Sequence, residues 1–318
     1  MSEEKEIELF TPGCLGTCWY GKYHYFEPWA GCGHDCPYCY ARFRAPVKVS
    51  LSRLGTPFEE PRTLYPEEEL LRRTAERAAS GEISILKLCR YTDIFTPSFV
   101  GSGLSLKLLD ALTGPASRIS RVIITTKGLP DKDIIDLIRS RPAKFSYNAA
   151  VRPGTAVSFD RALLPAGERL AAAAAIQAGG VLTTVHMDPF VPGFDDESAA
   201  LKPFLEGLKK LGLNRVMFSY LLLSGEMAAP LEKELPPAVF AALKDNYDLA
   251  ESRQYLPRQA DTVYWAIRPE VKRASVEKTA AMLNDMGFDF VLCSLKNTPG
   301  LDTTKFKGTK LCDGKFYA

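Results

Sequence analysis

Three cysteines fall within one short segment, Gly31-Cys32-Gly33-His34-Asp35-Cys36-Pro37-Tyr38-Cys39-Tyr40-Ala41-Arg42. The spacing Cys32-x3-Cys36-x2-Cys39 lets a single loop offer three thiolates to one metal centre. A four-iron cluster takes four ligands, so three cysteines leave one iron open to a substrate or cosubstrate. A structural zinc site closes with four protein ligands. His34 is the residue at hand for the fourth, but it lies inside the loop, where closing on the same ion is awkward. A zinc knuckle and a chance cluster of thiols are the competing readings.

The chain holds eight cysteines. Cys89 ends an apolar run and faces the same end of the molecule if the register holds; its bland reading is a buried core thiol. Cys14 and Cys18 form a second Cys-x3-Cys, and Cys293 and Cys312 lie near the far end of the chain. These four sit in the two terminal segments. Gathered at a barrel closure they would ligate an auxiliary iron–sulfur cluster or a structural zinc; otherwise they are unrelated thiols. Tyr38 and Tyr40 flank the third loop cysteine, where they read as packing aromatics. His186 reads as a hydrogen-bonded strand histidine. His24 stands among Tyr20, Tyr23, Tyr25, Phe26 and Trp29, aromatics that suit a core strand better than base stacking. No phosphate-binding glycine loop or His-Glu-x-x-His helix is present.

Positioning these groups requires a scaffold, and the periodicity supplies one. Apolar, β-branched runs occur at 83–88, 122–126, 144–148, 181–187, 215–220, 263–267 and 288–292. Helical patterns separate them at 66–80, 131–139, 161–178, 197–211, 236–252 and 274–286. Such alternation predicts βαβ units and a parallel sheet closed or partly closed into a barrel. The 66–80 segment opens on Pro66 followed by three glutamates at the positive end of the helix dipole. The first fifty residues and the last thirty fall outside the alternation.

Composition sets the outer limits. The 318 residues carry 40 Lys plus Arg against 38 Asp plus Glu, and 46% are hydrophobic. That excludes a disordered or collagen-like chain and fits a globular enzyme with a sizeable core. A net charge of +2 gives no electrostatic footprint for general nucleic-acid binding. No apolar run is long enough to cross a membrane. The charged start, Met-Ser-Glu-Glu-Lys-Glu, carries no secretory h-region. The expected location is therefore the cytoplasm, where thiols stay reduced and cysteines serve metals or redox chemistry.

The cysteine loop, with an aromatic before the third cysteine and Tyr-Ala-Arg after it, resembles the radical S-adenosylmethionine (SAM) superfamily. Within it the chain is similar to the spore photoproduct lyase group and its uncharacterised relatives. Thr92-Asp93 resembles that group's Thr-Asp or Ser-Asp, and Val122 to Lys127 its strand ending in Thr-Lys. Phe145-Ser-Tyr-Asn-Ala149 resembles its Phe-Ser-x-Asn-Ala, and Glu168-Arg169 and Pro189 to Pro192 fall where the group has similar residues. The likeness covers about residues 25 to 210.

The resemblance implies an α/β fold, a partial (β/α)6-type TIM barrel with N- and C-terminal Cys-containing extensions. Its parts would be an extension over 1–24, the radical SAM barrel over 25–225, and a C-terminal extension over 226–318 completing or capping it. It implies a [4Fe-4S] cluster on Cys32, Cys36 and Cys39, with SAM chelated at the open iron. One-electron reduction, by a donor such as flavodoxin or ferredoxin, would cleave SAM to a 5′-deoxyadenosyl radical that abstracts hydrogen from substrate. Tyr40, Thr92, Asp93, Lys127, Ser146 and Asn148 become candidate SAM contacts, Lys127 through the methionine carboxylate. Where many members carry a Gly-rich segment after the second strand, this chain has Cys89-Arg-Tyr-Thr-Asp93. In spore photoproduct lyase a cysteine near that point returns a hydrogen atom to the product radical; here Arg90 and Tyr91 offset Cys89 from it, and the resemblance makes Tyr38 and Tyr40 relays of such an atom, packing aromatics otherwise. A small molecule or peptide is the favoured substrate. Repair of a nucleic-acid lesion is the alternative, and a non-catalytic zinc-binding interaction protein the alternative of another class.

Overall fold

The computed structural model describes residues 6–13, 23–154, 164–254, 263–293, 310–312 and 316; Cys14 and Cys18 lie outside them. The N-terminal part holds β1 (Phe10–Pro12), β2 (Tyr23–Phe26), β3 (Trp29–Ala30), α1 (Ala45–Leu54) and β4 (Arg62–Thr63). The alternation follows as α2 (Glu67–Ala79), β5 (Ile85–Leu88), α3 (Pro97–Gly101), α4 (Leu104–Thr113), β6 (Arg121–Thr126), α5 (Lys132–Ser140) and β7 (Phe145–Ala150). It continues through α6 (Ala166–Ala178), β8 (Leu182–Phe190), α7 (Ser198–Lys210), β9 (Arg215–Tyr220), α8 (Gly225–Glu234) and α9 (Pro237–Lys244). β10 (Tyr247–Gln254), β11 (Val263–Ile267), α10 (Pro269–Asp285) and β12 (Asp289–Leu292) complete it.

The main sheet runs β1-β2-β5-β6-β7-β8-β9-β12. From β2 onward each neighbour is parallel, and β1 alone is antiparallel, against β2. This is the α/β partial barrel that the alternation predicts. Local chemistry sets the crossings. The Asp131 side chain accepts from the Ile134 N–H at 2.9 Å and starts α5, as the Ser224 hydroxyl does for α8 from Met227. Gly55, in the left-handed conformation at φ 62°, ends α1.

Register separates two faces with opposite duties. Leu86, Val122, Ile124, Phe145, Val185, Val216, Phe218 and Leu292 point outward and pack with Leu108, Ile134, Ala173, Ile176, Leu205 and Val276 of the surrounding helices. Burying each such side chain contributes about 1.5–3 kcal/mol, so this outer layer holds the barrel together. The alternate positions face the lumen, where Tyr23, Tyr25, Ile123, Met217 and Val291 form a separate small cluster. Further along those strands the lumen face turns polar, with Lys87, Thr125, Asn148, Thr184, His186 and Ser219. Chemistry thus has a place that the stability of the fold does not need.

Two expected elements differ. The helical pattern over 236–252 ends at Lys244, and Tyr247–Gln254 is a strand instead. Phe240, Leu243 and Tyr247 are spaced as on a helix face, yet Tyr247 is buried through a strand and donates its hydroxyl to the Leu221 carbonyl at 2.8 Å. The strand at 263–267 is likewise not a barrel strand; it pairs antiparallel with β10 in a separate two-stranded ribbon. Beyond β12 a short segment continues the sheet, with Leu292 bridged in parallel to Leu311.

Candidate active site

The three-cysteine loop leaves β3 and lies over the C-terminal ends of the barrel strands. Gly31 sits at φ 87°, and a Cβ there would stand 2.6 Å from the Phe58 carbonyl oxygen. Only glycine fits that turn. The loop is then pinned by Cys32 N–H donating to that carbonyl at 2.7 Å and Gly33 N–H to the Thr96 hydroxyl at 3.0 Å. Cys39 N–H closes back onto Cys36 O at 3.0 Å. Arg42 ties the rim, bonded to both Asp35 and Glu59 with its guanidinium over the Phe58 ring.

Asp93 connects this loop to the strand ends. Its carboxylate accepts from Phe95 N–H at 2.8 Å, the Thr126 hydroxyl at 2.6 Å and Lys127 N–H at 2.7 Å, and His34 Nε2 stands 3.3 Å away. Burial pushes this carboxyl up; facing His34 and the donors from Thr126 and Phe95 outweigh it and hold it below the usual range. With both oxygens occupied, Asp93 positions the loop.

Glu27, which sequence reasoning passed over, does the same for the segment after β5. It accepts from Arg90 N–H, from Tyr91 N–H at 3.0 Å and from the Thr92 hydroxyl at 3.2 Å. Burial raises its carboxyl to about 7 against those hydrogen bonds. Thr92 therefore spends its proton on Glu27. Cys89 opens this segment at φ 55°, a conformation costly for a residue with a Cβ. The Tyr40 hydroxyl donates to the Arg90 carbonyl, which links the residue after the third cysteine to the same turn.

These pieces enclose one cavity of about 290 Å³. Cys32, Cys36, Cys39, Tyr38, Tyr40, Cys89, Thr92, Asp93 and Lys127 all line it, so most of the residues singled out from the sequence meet there. Lys127 directly follows β6, with its ammonium donating to the Asp188 carbonyl at 2.8 Å and 5.6 Å from the centre of the Tyr38 ring. Arg44, Lys87 and Arg90 add cationic character. Ser146 and Asn148 face the lumen but not the cavity wall. The Asn148 amide donates to Ile124 O at 2.8 Å, while its oxygen and the Ser146 hydroxyl are buried without a partner among the described residues. His186 is paired with Ser219 at 3.1 Å.

Burial pushes the thiols of Cys32, Cys39 and Cys89 upward, Cys32 further so through Asp93 and Cys89 through Glu27. A bound metal would displace protons from the loop thiols. Among the described residues no three His, Cys, Asp or Glu side chains converge on one point as a single ion requires. A four-iron cluster places each cysteine on a separate iron, so its donors need no common point. The three thiols of Cys32, Cys36 and Cys39 are the donor set that such a cluster would take, one short of its four ligands.

No protein-family model and no curated protein sequence matches the chain. Solved structures do match. Spore photoproduct lyase complexed with dinucleoside spore photoproduct aligns with a TM-score of 0.56 at 12% identity, over 85% of this chain and 75% of that one. A mutant of the same lyase gives 0.58 at 15% identity over the same shares. SuiB of Streptococcus suis bound to S-adenosylmethionine gives 0.51 at 12%, over 91% of this chain and 53% of that one. The chain thus shares the fold of these radical SAM enzymes. Among the described residues no helix is long and apolar enough to cross a membrane.

Proposed function

We propose that this chain is a radical SAM enzyme acting on a small molecule or peptide. The observation that carries the reading is the convergence of one loop's three cysteines, Lys127 and Cys89 on a single cavity at the C-terminal mouth of the barrel. That is where barrel enzymes hold their chemistry. Cys32, Cys36 and Cys39 would hold a [4Fe-4S] cluster, leaving one iron to SAM. When bound, the pair supplies a 5′-deoxyadenosyl radical for hydrogen abstraction.

The chain's own residues do the rest. Gly31, Thr96 and Asp93 fix the loop over the cavity. Lys127 offers an ammonium to the methionine carboxylate, a charge-assisted contact of roughly 1.5–3 kcal/mol. Tyr38 and Tyr40 wall the cavity beside it, and the surrounding apolar side chains keep water from a reactive carbon radical. Cys89 faces the same space, and burial keeps it in the S–H form. We assign it the return of a hydrogen atom to the product radical. A flavodoxin or ferredoxin would deliver the electron. A near-neutral chain favours a small substrate over a nucleic-acid lesion, and three loop cysteines with no fourth ligand at a usual zinc spacing in the sequence speak against a zinc-binding interaction protein.

The test is iron, sulfide and EPR on anaerobically reconstituted wild type and Cys32→Ala/Cys36→Ala/Cys39→Ala protein, with 5′-deoxyadenosine measured after dithionite and SAM. A loss of about four irons together with all deoxyadenosine formation is expected in the variant. Equal iron in both proteins, or zinc in place of iron, would overturn the proposal. Tight, salt-dependent binding of duplex DNA would move the substrate to a nucleic acid.

A further inference from the structure

Cys293 and Cys312 lie 19 positions apart in sequence, yet the fold sets them side by side. Leu292 is bridged in parallel to Leu311, with Leu292 N–H donating to Lys310 O at 2.9 Å and Cys312 N–H to Leu292 O at 2.8 Å. The next residue on each strand is a cysteine. Register partners in a parallel pair project from the same face, on strands about 4.8 Å apart. Here that face is the lumen: both thiols line the same cavity as the three-cysteine loop. They are not core thiols of the outer layer, where the barrel packs against its helices.

The surroundings suit a soft cation. Met217, a thioether, belongs to the same lumen cluster as the two cysteines. Cys293 N–H donates to Phe218 O at 2.9 Å, which puts the thiol beside Ser219, the partner of His186.

We propose that Cys293 and Cys312 form a second metal site in this cavity, a dithiolate that binds a thiophilic metal centre. Each thiol releases its proton to solvent as its sulfur–metal bond forms, with no change in oxidation state. Thiolates select iron–sulfur centres, zinc and its soft analogues. The site goes beyond the radical SAM reading and is tested without it.

The experiment uses full-length Cys32→Ala/Cys36→Ala/Cys39→Ala protein, prepared anaerobically, so that the loop contributes nothing. The probe is Co²⁺, followed by its thiolate-to-metal charge-transfer absorption. About one equivalent should bind, and adding Cys293→Ser or Cys312→Ser should weaken binding at least about tenfold, with circular dichroism showing the serine variants folded. Reconstitution of the same background with iron and sulfide distinguishes the centres: retained iron and sulfide identify a cluster, and cobalt binding without them a mononuclear site. Either supports the proposal. It is overturned if no charge-transfer band appears, if the band survives both serine substitutions, or if mass spectrometry finds the two cysteines joined as a disulfide in the anaerobic protein.

Discussion

Replacing Glu27 by glutamine tests the electrostatics of the site at its most exposed point of logic. The carboxyl is 2% accessible and its folded value is raised to about 7 from an ordinary 4.5, burial being the chief cause. A raised folded value means that the native state keeps its proton to higher pH than the unfolded chain does. The stabilising contribution is therefore complete below about pH 4.5 and is lost as pH rises through about 7. Between about pH 5 and pH 8 this one group should cost wild type roughly 2–3 kcal/mol. Other buried acids titrate too, among them Asp195, so the quantity to measure is a double difference. Urea unfolding of cluster-free, reduced wild type and Glu27→Gln protein at the two pH values supplies it. Glutamine keeps an oxygen for the Arg90 and Tyr91 N–H groups but cannot ionise. The variant should gain on wild type by that amount on going to the higher pH. Parallel pH curves for the two proteins would refute the reasoning. Glu27→Ala should instead destabilise at every pH, by about 1–3 kcal/mol for each buried N–H it orphans.

Lys127→Met should weaken SAM binding to the reconstituted protein by about ten- to a hundredfold, the worth of one charge-assisted contact; an unchanged Kd in equilibrium dialysis would remove Lys127 from the site. Asp93→Asn exchanges an acceptor for a donor opposite Lys127 N–H and His34. It should cost about 2–4 kcal/mol in chemical denaturation and lower iron retention by the loop. Arg152 pairs with the buried Asp195 at 2.7 and 2.8 Å, and burial raises that carboxyl to about 6 despite the arginine. Arg152→Met should therefore destabilise by roughly 3–5 kcal/mol at about pH 8 and by clearly less at about pH 5, where Asp195 takes up a proton. Equal losses at the two pH values would contradict the ionised pair.

What was legible in the sequence is what short spacing or strict period encodes. The loop of Cys32, Cys36 and Cys39 needs no partner elsewhere to be recognised, and the outward-facing positions of β6, β7 and β9 repeat with the period of two that a sheet imposes. Glu27 was illegible for a physical reason. Its partners, Arg90 to Thr92, are more than sixty positions away, and only the parallel pairing of β2 with β5 brings them within hydrogen-bond reach. The strand at Tyr247–Gln254 was hidden differently, since Phe240, Leu243 and Tyr247 satisfy a helical spacing while the chain changes element between them.

Cys293 and Cys312 combine both kinds of difficulty. Their spacing along the chain carries no signal, and their approach depends on a bridge beside β12, which itself depends on β9. Yet the alternation that hides the partner also fixes the consequence. Once Leu292 packs outward with Phe218 and Phe290, the residue after it faces inward, and its neighbour across the bridge turns the same way. A packing preference on the outside of the barrel thereby places two thiols on the inside, where the chain keeps its reactive side chains.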